Sequence, residues 1–188
     1  METRASSFTR TSQPIRRSNA REDMKRLLAA LLLVAMASAS FAASLKPLSA
    51  GRAPALAIPL LGGQKADMNQ LRGQVVLISF WATWCPPCRK EMPSMDRLSK
   101  MYMRQPFTVL AVNVGEPADV VERFLDDVPV SFAIGLDEDS TRARAWKAFV
   151  YPTSFLVDKT GRIRFGLNGA IEWDSPEVVE IIEQLLLE

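Results

Sequence analysis

The stretch that decides the fold is Val75-Val76-Leu77-Ile78-Ser79-Phe80-Trp81-Ala82-Thr83-Trp84-Cys85-Pro86-Pro87-Cys88-Arg89-Lys90-Glu91. Its first half is a nearly unbroken apolar run, the pattern of a strand buried on both faces. Its second half carries two cysteines three positions apart and runs into a helix-forming sequence, so the expectation is strand, tight turn, helix. These are the only 2 cysteines in the chain. On the first turn of a helix, that spacing brings two sulfurs within reach of one small disulfide ring.

The spacing favours redox chemistry. The attacking species in disulfide exchange is a thiolate. Cys85 would stand at the helix N-terminus, where free backbone N–H groups and the helix dipole favour negative charge. Cys88, one turn further in, would be more buried and would resolve a mixed disulfide by attacking Cys85. Pro86 and Pro87 suit the first helical positions, where a missing N–H costs nothing. Trp84 would shield one side of the sulfur and offer a flat apolar docking surface. A purely structural disulfide is the weaker alternative, because so short a loop constrains little chain. A zinc site would need ligands from elsewhere, and the chain has no histidine and no third cysteine.

The segment Phe80-Trp81-Ala82-Thr83-Trp84-Cys85-Pro86-Pro87-Cys88-Arg89-Lys90-Glu91-Met92-Pro93 resembles the active-site segment of the TlpA/ResA-type thioredoxin-like proteins, extracytoplasmic thiol-disulfide oxidoreductases of bacteria. A second anchor, Tyr151-Pro152-Thr153-Ser154-Phe155-Leu156-Val157-Asp158, is similar to that family's cis-proline segment. The resemblance runs from about Ala53 to the C-terminus. It implies an α/β thioredoxin-like sandwich: a mixed central sheet with helices on both faces, an N-terminal β-hairpin, and an insertion from about Glu116 to Ala133.

The resemblance also implies site residues. Pro152 would follow a cis peptide bond and lie against Cys85. It removes a backbone donor beside the sulfur and leaves the Tyr151 backbone free to pair with an extended substrate. Tyr151 would set specificity; plain packing is the alternative. Glu91 corresponds to an acidic residue of ResA-like proteins. Three positions after Cys88, it shares the cysteine side of the helix. It would pass protons to and from Cys88 if burial raises its pKa; a solvated helix glutamate is the alternative. Thioredoxin itself carries a buried acid on the preceding strand, where this chain has Ser79.

The chain is 188 residues long, with a formal net charge of +2 that is unevenly spread. Residues 1–43 carry seven Lys/Arg against three acids, and residues 44–188 carry sixteen against eighteen. No clustered basic patch points to nucleic acid. Residues 1–23 are polar and expected to be disordered, an extension that a start at Met24 would omit. Residues 24–43 read as a signal peptide: Met24-Lys25-Arg26, the apolar run Leu27 to Ala37, then small residues to Ala42 and Ala43. An uncleaved signal anchor is the alternative. Residues 44–52 read as a linker and 53–188 as the thioredoxin-like domain.

Within that domain, Leu56–Leu61 and Gln64–Asp67 read as a hairpin about Gly62-Gly63, and Met68–Leu71 as one helical turn. The helix after the cysteines is expected to reach about Met103, with Pro93 inside it. Strands are expected at 107–114 and 130–134, and helices at 118–127 and 139–149. A hairpin of 153–158 with 163–167 and a last helix after Ser175-Pro176-Glu177 complete the domain. Asp126-Asp127 and Asp137-Glu138-Asp139 read as solvated acidic surface.

The functional expectation is a periplasmic disulfide reductase acting on protein disulfides, with cytochrome c maturation as one pathway the resemblance implies. No cofactor is expected, and the partners would be protein substrates and a membrane-embedded thiol reductant. The family's dedicated cytochrome-maturation members usually carry an acid after the proline, where this chain has Thr153-Ser154. An oxidant or isomerase, and a metal-handling dithiol protein, remain open as rivals.

Overall fold

The computed structural model describes residues 44–48 and 51–188. The expectations for residues 1–43 lie outside the described residues. The described residues form one compact unit.

Strand β1 is Lys46–Pro47, β2 Ala57–Pro59, β3 Lys65–Asp67 and β4 Val75–Trp81. Helix α1 spans Pro86–Met101, followed by β5 Phe107–Val114 and α2 Ala118–Asp127. Then come β6 Ala133–Asp137, α3 Thr141–Ala145, β7 Thr153–Val157, β8 Ile163–Asn168 and α4 Pro176–Leu187. Six strands form one sheet in the order β1-β8-β7-β4-β5-β6. The neighbours β4–β5 and β5–β6 are parallel, whereas β4–β7, β7–β8 and β1–β8 are antiparallel.

All seven residues of β4 are buried, as its apolar run requires of a central strand covered on both faces. Alternate side chains go to opposite layers. Val75, Leu77 and Trp81 join α1, α2 and α4 in one core cluster. Val76, Ile78 and Phe80 join Leu56 and Ile58 of the β2–β3 hairpin region, and Ala143 and Trp146, in the other. Helices therefore lie on both faces, as expected.

The sequence reading is corrected in several places. The segment expected as a linker holds an edge strand: Lys46 and Pro47 pair with Gly166 and Phe165 of β8. Residues 68–71 form hydrogen-bonded turns instead of a helical turn. The strand expected at 130–134 lies at Ala133–Asp137, and the helix expected over 139–149 is only Thr141–Ala145. The later start of the helix has a local cause. Asp137 is a fully buried strand end, not solvated surface, and its carboxylate accepts from the backbone N–H of Arg142 (3.1 Å) and Ala143 (2.8 Å). Those bonds start α3 directly after β6.

The hairpin of β2 and β3 forms as expected and packs on the β6 edge through a Leu60–Gly135 bridge. Gly135 allows that approach, since a Cβ there would sit 3.0 Å from Ile58 Cδ1.

Candidate functional site

The cysteines sit where β4 ends and α1 begins. Ala82 to Trp84 turn the chain, and the Cys85 N–H closes that turn on the Ala82 carbonyl at 3.2 Å. Cys85 is the N-cap of α1, and its sulfur accepts from the Cys88 backbone N–H at 3.3 Å. Pro86 and Pro87 occupy the first helical positions and are exposed. Cys85 and Cys88 are joined as a disulfide with Cα atoms 5.3 Å apart. Both are buried, Cys88 completely.

The second expected segment lies at the same end of the sheet. Phe80 of β4 pairs with Thr153 of β7, which sets the residue before β7 beside the end of β4. The Tyr151–Pro152 peptide bond is cis and Pro152 is buried. Tyr151 is half-buried and meets Trp84 edge-to-face, with ring centroids 6.0 Å apart. Trp84 itself is 66% exposed. Tyr151 makes no backbone–backbone hydrogen bond to another described residue. Sequence reasoning missed the exposed pair Phe149 and Val150 just before it, because it placed Phe149 in a helix.

Glu91 is not solvated: it is 2% exposed. Its Oε1 accepts from the Ser79 hydroxyl at 3.3 Å and its Oε2 from the Trp173 indole N–H at 3.1 Å. Burial pushes the carboxyl up to about 7 from its ordinary value, partly offset by hydrogen bonds from Trp173, Ser79 and the Ile171 backbone. A cleft of about 200 Å³ borders Glu91, lined also by Lys90, Ala170, Ile171 and Glu172.

Sequence reasoning also missed Glu116. It follows Gly115, whose φ of +77° turns the chain out of β5 in a conformation suited to glycine. The Glu116 carboxylate accepts from Thr83 N (2.8 Å), Thr83 Oγ1 (2.5 Å) and Asn113 Nδ2 (2.7 Å). It thereby clamps the turn that presents Trp84 and Cys85. Phe124 of α2 adds a lid of packing here, against Trp81 at 5.1 Å and under the Arg89 guanidinium at 5.0 Å. Among the described residues, no group of three or more His, Cys, Asp or Glu is placed to hold a metal ion.

Chemically, the arrangement is a dithiol/disulfide pair with one sulfur at a helix N-terminus and a buried carboxyl one turn after the other cysteine. Comparison with known proteins agrees. The model of the AhpC/TSA family matches residues 50–165. The chain is 37% identical over 119 residues to the thiol-disulfide oxidoreductase ResA of Geobacillus thermodenitrificans, covering 63% of this chain and 68% of the relative. Among solved structures, it resembles a Chlorobium tepidum protein described as a thiol:disulfide interchange protein DsbE, at 32% identity and a TM-score of 0.64, covering 77% of this chain and 97% of that one. It also resembles a Neisseria meningitidis protein described as a thioredoxin, at 33% identity and a TM-score of 0.64, over 71% and 88% of the two chains. With the sheet order, the cysteine pair and these matches in agreement, the chain belongs to the AhpC/TSA family, as a thioredoxin-like thiol-disulfide oxidoreductase of the ResA type.

Proposed function

We propose that the protein is a disulfide reductase that works outside the cytoplasm, in the periplasm, on disulfides of other proteins. The observation that carries the mechanism is the Cys88 N–H aimed at the Cys85 sulfur at the N-terminus of α1. That donor and the helix dipole favour a thiolate on Cys85 in the reduced protein. The Cys85 thiolate attacks one sulfur of a substrate disulfide, forming a mixed disulfide and releasing the other sulfur as a thiolate. Cys88 then gives its proton to the ionised Glu91 carboxylate. The Cys88 thiolate attacks Cys85, the second substrate thiolate leaves, and Cys85–Cys88 closes. Two electrons pass from the dithiol to the substrate, and Glu91 returns the proton when the pair is reduced again.

Trp84, Pro86, Pro87, Tyr151 and Pro152 form the docking surface in this reading. An extended substrate segment pairs with the free Tyr151 backbone and lies on the exposed Trp84 ring. The direction follows from compartment chemistry: where disulfides form readily, proteins that need free thiols require a reductase. Apocytochrome c before haem attachment is one candidate substrate. A membrane-embedded thiol reductant recharges the pair. Residues 24–43 supply the export signal or a membrane anchor; among the described residues no helix is long and apolar enough to cross a membrane.

The deciding experiment is the reduction potential of Cys85–Cys88, from equilibration with glutathione and dithiothreitol buffers. A value near roughly −270 mV or lower supports the reductase. A value near about −120 mV overturns it in favour of an oxidant.

A further inference from the structure

The two oxygens of Glu91 have chemically unlike partners. Oε2 faces the indole N–H of Trp173 at 3.1 Å, and Oε1 faces the Ser79 hydroxyl at 3.3 Å. Behind Ser79, the Ser154 hydroxyl donates to Ser79 Oγ at 2.9 Å. The serine pair is a product of strand register. Ser79 of β4 and Ser154 of β7 are direct antiparallel partners, so their side chains share one face of the sheet. Ser79 has the same parity as Leu77 and Trp81, which places it on the face that packs against α1.

An indole nitrogen only donates, whereas a hydroxyl donates or accepts as it rotates. Hydrogen on Oε2 would confront the indole hydrogen, donor against donor. Hydrogen on Oε1 meets a lone pair of Ser79 once that hydroxyl turns. We propose that Trp173 confines the proton of neutral Glu91 to Oε1, and that Ser79, backed by Ser154, exchanges donor for acceptor each time Glu91 changes protonation state.

All three are positioning residues, acting on the dithiol through Glu91; the inference rests on reading Glu91 as the proton partner of Cys88. It explains how a carboxyl that is 2% exposed keeps hydrogen-bond partners on both oxygens in either state. The groups around it fit that role. On α1 it has Cys88 one turn before it and Lys90 beside it. The facing loop contributes the Ile171 backbone, Glu172 and Trp173, with Lys90 and Glu172 lining the cleft. From β4 and β7 come only the two uncharged hydroxyls.

The test is infrared difference spectroscopy on the oxidised full chain, in which neither cysteine titrates, across a pH change spanning about 7. The band removed by Glu91→Gln is the carboxyl C=O of Glu91. With the proton on Oε1, the C=O oxygen is Oε2, bonded to the indole. Trp173→Phe then moves the band to higher frequency, while Ser79→Ala leaves it in place. The reverse pattern, a C=O shift in Ser79→Ala and none in Trp173→Phe, overturns the proposal. If Trp173→Phe does not fold, Ser79→Ala decides alone: an unmoved band supports the proposal and a shifted band overturns it. A difference spectrum from which Glu91→Gln removes nothing overturns the underlying reading of Glu91, and the inference with it.

Discussion

Glu91 shows what burial does to a single side chain. Its neutral form is favoured in the folded protein up to about pH 7, against an ordinary 4.5 in the unfolded chain. The folded state therefore binds the extra proton between these values. Glu91's stabilising contribution is full below about 4.5 and is lost as pH rises through about 7. At 1.36 kcal/mol per pKa unit this amounts to about 3 kcal/mol. Glu91→Gln keeps the shape and removes the charge. We expect the wild-type protein to lose most of that amount between about pH 5 and pH 8, and the variant to lose little of it. Chemical denaturation of both oxidised proteins at the two pH values checks this.

Glu116 acts at the same scale by a different route, holding three donors with one carboxylate. Glu116→Ala leaves Thr83 and Asn113 without that acceptor and is expected to cost about 2–4 kcal/mol. Glu116→Gln, which keeps one acceptor oxygen, should cost less. Unfolding midpoints of the two variants rank them, and equal losses would contradict the clamp.

Helix α1 is the element that serves site and scaffold together. Its N-cap and first turn carry the cysteines, its second turn Glu91, and its third Asp96, which ties the helix to the segment entering β6. Asp96 Oδ1 accepts from both the backbone N and the hydroxyl of Ser131 at 2.6 Å, and its Oδ2 pairs with Lys100 at 2.6 Å. Burial pushes its carboxyl up, but the bonds from Lys100 and Ser131 outweigh burial and hold it below the usual carboxylate value. The ionised form is thus favoured by folding. Its contribution is present above the unfolded pKa and is lost as pH falls through the folded one. Asp96→Asn is expected to destabilise the protein by about 1–3 kcal/mol near neutral pH. The deficit should narrow in acid, and denaturation at neutral and acidic pH measures it. The Lys100–Asp96 ion pair alone would contribute less, since its lysine is exposed and such surface pairs are worth about 1 kcal/mol at most.

For the whole molecule, redox state and stability are one equilibrium. A disulfide closing so short a loop constrains the unfolded chain by only about 2 kcal/mol. If the folded site neither favours nor resists the bond, the oxidised protein is more stable than the reduced one by about that amount. An oxidant requires the opposite order, with the reduced fold stabilised. We expect the reduced protein to unfold at lower denaturant than the oxidised one; a higher midpoint for the reduced protein would count against the reductase reading. The sheet is well placed to transmit this difference. Trp81 and both cysteines belong to the core cluster that α1, α2 and α4 build on one face.

The sequence by itself determined the parts governed by local pattern. The apolar run of β4, the Cys85–Cys88 spacing and the prolines of α1 fixed a strand–turn–helix. The bounds of β5 and α2 were legible in the same way, from unbroken apolar or periodic runs closed by glycine and proline. Where burial reversed the usual meaning of a residue type, local pattern failed. Asp137 reads as solvated acid but is a buried strand end that starts α3. Lys46 and Pro47 read as linker, because an edge strand so short is defined only by its partner β8. Glu91 had two readings that differ only in burial, and the contact that decides burial, Trp173, lies 82 positions away. Glu116 gave no signal, since its meaning is a hydrogen bond to Thr83, 33 positions earlier. Tertiary structure decided these because a carboxylate's role is set by which donors surround it and how much water is left.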